Sequence, residues 1–158
     1  MQTPEPFQTE EPYAEPTDRF SPDVAWIWGA GERLTWISGL ILALSTLMGW
    51  YVSVGGEPTY AVIGWHTGTV AKIVLVIGLA VIALHLLHTA GIELPATVPE
   101  SLVVIGLGAL STIFVLIRLI AVPDSLFGWD GRGIGIFISL FASLAVIAAG
   151  LLRAGEEL

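Results

Sequence analysis

The sequence predicts an all-α membrane protein: a bundle of four transmembrane helices, built as two tandem helical hairpins. Three observations predict it. Long uncharged runs fill most of the chain, the charged fraction is only 13%, and the second half echoes the first. The runs are Leu34 to Gly56, Ile73 to Ile92, Ser101 to Ile117 and Gly133 to Leu152, each bounded by Arg, Lys or Glu. A hydrocarbon core is crossed by a helix of about 20 mostly apolar residues. Soluble domains carry about 25% charged residues, so the deficit points to lipid. The echo is local. Ala43-Leu44-Ser45-Thr46 recurs as Ala109-Leu110-Ser111-Thr112, Gly64-Trp65 as Gly128-Trp129, and Leu79 to Ala83 as Leu144 to Ala148, at offsets of 66, 64 and 65 residues. A repeated two-helix unit sets an architecture before any chemistry is considered.

In chain order, residues 1–20 are acidic and contain Pro4, Pro6, Pro12 and Pro16. Such a segment cannot bury enough apolar surface to offset its ordering entropy, which predicts a disordered tail. No basic start leads into an apolar run, so no cleavable signal peptide is expected. Residues 21–33 read as an interfacial segment. Ser21-Pro22-Asp23 is a helix start, and Trp26 and Trp28 suit the membrane–water boundary.

The transmembrane domain is expected over 34–153. Span one covers about 34–54 and ends on Trp50-Tyr51 as an aromatic anchor. Two β-prone arms around Gly55-Gly56-Glu57-Pro58 then predict a short β-hairpin in the first loop. Two strands alone are marginal, so the hairpin must pack on something. Span two covers about 69–91, span three about 101–122 before Pro123, and span four about 132–153; residues 154–158 form a short tail. With two spans per repeat, both copies enter the membrane in the same sense.

The net charge is −8, and residues 1–25 carry −5 of it, from six acids and Arg19. That acidity argues against nucleic acid and anionic surfaces as partners. Without cysteine, thiolate metal sites and cysteine catalysis are excluded. Lys and Arg divide evenly between the terminal side (Arg19, Arg33, Arg153) and the loop side (Lys72, Arg118, Arg132). The positive-inside rule therefore gives no orientation. Both termini are placed in the cytoplasm, because nothing marks the tail for export.

Four features could carry chemistry. His85 and His88 share one face of span two; they fit a metal or haem ligand pair or a proton relay, or else polar groups at a helix C-terminus. No Asp or Glu lies near them within the span, and no cofactor is predicted. Arg118 and Lys72 are candidate in-membrane charges, with snorkelling the plainer account and Asp124 or Asp130 the natural partner of Arg118. Gly131, Gly135, Ser139 and Ser143 form a small-residue stripe that admits a close helix, within the molecule in preference to a homodimer seam. Trp65 and Trp129, next to His66 and Asp130, occupy matching loop positions and would line a shared mouth or anchor the interface.

Gly31-Glu32-Arg33 entering span one, Trp50-Tyr51 leaving it and Arg118-Leu119 ahead of Pro123 resemble the pattern of small four-span bacterial membrane proteins, over roughly residues 31 to 153. The resemblance implies the fold class and a plasma-membrane location, and it implies no activity. The expected function is a non-enzymatic scaffold or accessory subunit whose partners are the bilayer and a membrane protein or a second copy. The alternatives are a small oligomeric transporter or channel, and a histidine-dependent redox subunit.

Overall fold

The computed structural model describes residues 29–53, 60–92, 99–121 and 131–156. The expected tail over 1–20, the Ser21 helix start with Trp26 and Trp28, and residues 157 and 158 lie outside them. The described residues form four helices and a small sheet: α1 Ala30–Ser45, β1 Gly49–Val52, β2 Ala61–Ile63, a 3₁₀ turn Gly64–His66, α2 Thr69–Thr89, α3 Glu100–Ile120, β3 Gly131–Arg132 and α4 Ile134–Glu156. Three helices, α2, α3 and α4, are long and apolar enough to cross a membrane.

Helix α1 is the exception. Its 16 residues rise about 24 Å, short of a hydrocarbon core of about 30 Å. The helix expected over 34–54 starts earlier and stops at Ser45. The following amides tighten into turns, Leu47 N to Leu44 O at 3.0 Å and Met48 N to Ser45 O at 3.2 Å. The Trp50 indole then donates to Ser45 O at 3.0 Å, filling a carbonyl that the ended helix leaves open. Trp50 and Tyr51 are therefore not surface anchors. Both are fully buried, because each polar tip finds a backbone acceptor: Ser45 O for Trp50, and Arg118 O for the Tyr51 hydroxyl, at 2.8 Å.

The first loop does carry antiparallel strands, over Gly49–Val52 and Ala61–Ile63, the first beginning two residues ahead of the β-prone arm Tyr51 to Val54. Tyr51 faces Val62 and Val52 faces Ala61, with a bulge between Gly49 and Tyr51. Residues 54–59, with the expected turn, lie outside the described set. A third strand gives the order β2-β1-β3. It comes from residues 131 and 132, so Arg132 is sheet and not the start of the last helix. Tyr51 pairs with Arg132 and Val52 with Gly131, and Gly133 N donates to Trp50 O at 2.7 Å. This addition answers the marginal stability of a lone hairpin.

The helices run up and down around a closed ring. α1 packs on α2 and α4, α3 packs on α4, and α2 meets α3 over fewer residues. Leu42, Val74, Val81, Val104, Val115 and Val146 fill the centre and are fully buried. Small residues bring the backbones together. A Cβ on Gly78 would stand 2.8 Å from Ala43 N and 3.0 Å from Gly39 O; one on Gly150 would stand 3.0 Å from Ile105 N. Buried hydroxyls turn back on their own helices, as Thr35 Oγ1 does to Gly31 O at 2.7 Å and Ser111 Oγ to Gly108 O at 3.0 Å. Outward positions are apolar: Val76 on α2, Leu102 and Ile113 on α3, and Phe141 and Leu151 on α4 are all more than half exposed. Polar atoms inside and bare apolar faces outside invert the arrangement of a water-soluble domain.

The closeness at Gly78 gives a direct test. Gly78→Val forces α1 and α2 apart and destabilises the fold by about 1–3 kcal/mol, read as a lower midpoint of thermal unfolding in detergent. Gly106→Ala, where an added Cβ meets nothing within 4 Å, stabilises slightly or leaves the midpoint unchanged.

Candidate functional site

Antiparallel helices place opposite dipole ends side by side, and the sequence answers each with charge. At one end of the ring, Glu32 lies in the first turn of α1 and Glu100 in the first turn of α3, against the positive N-termini. His88 lies in the last turn of α2 and Arg153 in the last turn of α4, against the negative C-termini. The result is a ring of alternating partners. Glu100 Oε2 lies 3.0 Å from His88 Nδ1 and 3.0 Å from Arg153 Nη2, tying three helices at one oxygen. The Arg153 side chain is only 7% exposed and that of Glu100 12%. His85 Nδ1 lies 3.8 Å from Glu32 Oε1, a looser contact.

The carboxylates missing from the histidines' own helix are thus supplied by the neighbours. Helix boundaries put the first-turn acids of α1 and α3 and the last-turn bases of α2 and α4 at one end of an up-down ring, but which acid meets which histidine depends on how the helices are arranged around it. Even so, no group of three or more His, Asp or Glu stands in metal-binding geometry among the described residues. Between Glu32, His88, Arg153 and Glu156 lies a cleft of about 160 Å³.

The opposite end is built around the sheet. Arg132 donates from Nε to Leu119 O at 3.1 Å and from Nη2 to Ile120 O at 3.4 Å. With the Tyr51 hydroxyl on Arg118 O, these bonds close the C-terminal carbonyls of α3. The Arg118 guanidinium lies against Gly68, whose Cβ, if present, would be 2.7 Å from Nη2. Its Nε is buried without a hydrogen-bond partner. The expected partners Asp124 and Asp130, and Trp129 with them, lie outside the described residues. Lys72 Nζ sits 5.1 Å from the centre of the Trp65 ring, a cation–π contact at the start of α2. Trp65 and His66 are exposed.

The small-residue stripe divides. Gly131 belongs to β3 and not to the helix. Gly135 lies under the Met48–Gly49 backbone, its absent Cβ 2.8 Å from Gly49 O. Ser139 Oγ is 2.7 Å from Ser45 Oγ, and Ser143 Oγ accepts from Thr112 Oγ1 at 2.9 Å. The stripe thus meets α1 at one level and α3 at another, and Ser139 and Ser143 are buried within the molecule. Ser45 and Thr112 come from the two copies of Ala-Leu-Ser-Thr, so both copies converge on α4. Sequence spacing marked the stripe but not its two partners.

No family model matches this chain, and neither a curated protein nor a solved structure is significantly similar to it.

Two outcomes follow from this geometry. Glu100→Ala strips a buried guanidinium of its carboxylate and costs about 3 kcal/mol of stability, whereas His85→Gln changes the thermal midpoint little, because its contact is long and Glu32 is 41% exposed.

Proposed function

We propose that the chain is a multi-pass integral membrane protein of the bacterial inner membrane, a four-span bundle acting as a non-enzymatic scaffold or accessory subunit. One observation supports it above the others. The ring is filled to its centre by Leu42 and valines and drawn tight by Gly39, Gly78, Gly108 and Gly150, while the outer faces are apolar. A solid interior with a lipid-compatible exterior suits a part that holds other parts in the bilayer. A route for a polar solute through one copy would need a polar lumen there. A shallow groove of about 280 Å³ between α1 and α4, apolar apart from Ser38, fits the same surroundings.

Helices α2 to α4 span the bilayer in this reading. The short α1 completes its crossing through the turns after Ser45 and the sheet beneath them, where backbone groups are paired within protein, as non-helical chain at membrane depth must be. The tandem-hairpin reading draws support from the starts of α2 and α4, Thr69 and Ile134, which are 65 residues apart (134 − 69). The starts of α1 and α3, Ala30 and Glu100, differ by 70 (100 − 30), so the first hairpin is the modified one. Because the start of α1 and the end of α4 share one end of the ring, both termini face the same compartment, proposed as the cytoplasm. The acidic tail over 1–25 is then the natural handle for a protein partner.

The reading is tested in two steps. The chain should stay with the membrane pellet after alkaline carbonate washing; release as a dissolved monomer overturns it. Purified in mild detergent, it should bring a stoichiometric partner that is lost when residues 1–25 are deleted. Conductance or solute flux in liposomes, with no partner, favours the transporter instead.

A further inference from the structure

The ring of helix-end charges explains every member of the cluster but one. Glu32, Glu100, His88 and Arg153 each sit where a dipole welcomes them. Glu156 does not. It is the last residue of α4, at a negative end that repels a carboxylate. Its Oε1 is buried without a hydrogen-bond partner among the described residues, and so are Arg153 Nη1, Glu100 Oε1 and His85 Nδ1. Buried polar atoms are normally paired. Two of these orphans, Glu156 Oε1 and Arg153 Nη1, belong to residues that line the cleft, and the Arg153 side chain is only 7% exposed; together they describe a polar site that the described residues leave incomplete.

The chemistry of what completes it can be read off the atoms. Two carboxylates, Glu32 and Glu156, line the cleft beside the Arg153 guanidinium, and Glu156 Oε1 accepts no hydrogen bond from the described residues, so the site holds an unanswered carboxylate oxygen. It therefore lacks a cation that donates hydrogen bonds. Arg153 Nη1 lacks an acceptor, best an anionic oxygen. A primary ammonium next to a phosphate supplies both. Metal chelation is not the match, since no metal-binding group forms among the described residues.

We propose that the cleft between Glu32, His88, Arg153 and Glu156 binds a phosphoethanolamine group, its ammonium on Glu156 and Glu32 and its phosphate on Arg153. The group is carried by an aminophospholipid or is free in solution. The lipid form rests on the membrane reading above. Helices α2 and α3 have 21 residues each, a rise of about 32 Å across a core of about 30 Å, so in a bilayer their ends stand at headgroup depth. There a lipid ammonium and phosphate arrive together.

Full-length protein is placed in nanodiscs of equimolar phosphatidylethanolamine and phosphatidylcholine, and the lipids it retains are counted by native mass spectrometry. Phosphatidylethanolamine should be retained about tenfold over phosphatidylcholine, the worth of one or two charged hydrogen bonds. Retention should fall stepwise through the mono- and dimethylated ethanolamine lipids, as N–H donors are removed. Glu156→Gln should abolish the preference, and His66→Gln, at the other end of the molecule, should keep it. The methylated series on unaltered protein decides the matter if Glu156→Gln does not fold. Free phosphoethanolamine raising the thermal midpoint in detergent identifies a soluble ligand of the same chemistry; retention of the lipid without that rise identifies the lipid. Equal retention of both lipids together with no effect of free phosphoethanolamine overturns the proposal, as does an unchanged preference in Glu156→Gln. Failure to float with vesicles of any composition overturns the membrane reading alone, and free phosphoethanolamine then decides the site.

Discussion

The near-contact of helix backbones, Gly39 with Gly78 between α1 and α2 and Gly108 and Gly150 between α3 and α4, sets everything else in the molecule. Where side chains no larger than hydrogen separate two helices, their axes come close enough for dispersion contacts along their length. In hydrocarbon this replaces the hydrophobic drive that lipid cannot supply. It also fixes which side chains meet elsewhere. With α1 drawn onto α2, Glu32 reaches His85. With α3 drawn onto α4, Glu100 reaches Arg153 and Thr112 reaches Ser143.

The two ends solve the same problem in different ways. Every helix terminus leaves backbone groups without partners inside the helix. At the Glu100 end the answer is electrostatic, with acids on positive termini and bases on negative ones, alternating because the helices alternate. At the other end it is hydrogen bonding. Trp50 takes the last carbonyl of α1, Tyr51 and Arg132 take those of α3, and the three strands pair with one another. The first end has charge to offer a ligand. The second is a closed cap, held by two large aromatics buried where a surface belt would have been expected.

The buried hydroxyls connect this packing to the proposed role. Serine and threonine that bond their own i−3 or i−4 carbonyls present a small, nearly apolar face to the next helix. Most of those among the described residues do so, while the Ser45–Ser139 and Thr112–Ser143 contacts cross between helices. Such an interior is closely packed, which suits the scaffold role proposed above. At the charged end, Glu156 is the group that neither the helix dipoles nor pairing among the described residues accounts for.

Uncharged runs of 17 to 20 residues gave away α2, α3 and α4, and Gly, Ser and Pro punctuation gave their limits to within a few residues. The strand-prone arms around Gly55-Gly56 showed that the first loop holds β structure. These features were legible because they arise from residues close together in the chain. The early end of α1 was not, since Leu47 to Val52 is as apolar as the helix before it; what ends α1 is a tryptophan folding back on Ser45 and a strand arriving from residues 131 and 132. Nor was the partner of each histidine, because Glu32 and Glu100 lie far from His85 and His88 in sequence and reach them only through the antiparallel ring. The length of the uncharged runs determined which segments are long apolar helices. The tertiary fold alone decided which charges share a cleft, because electrostatic and hydrogen-bond partners are set by distance in space, and glycine contacts between helices set that distance.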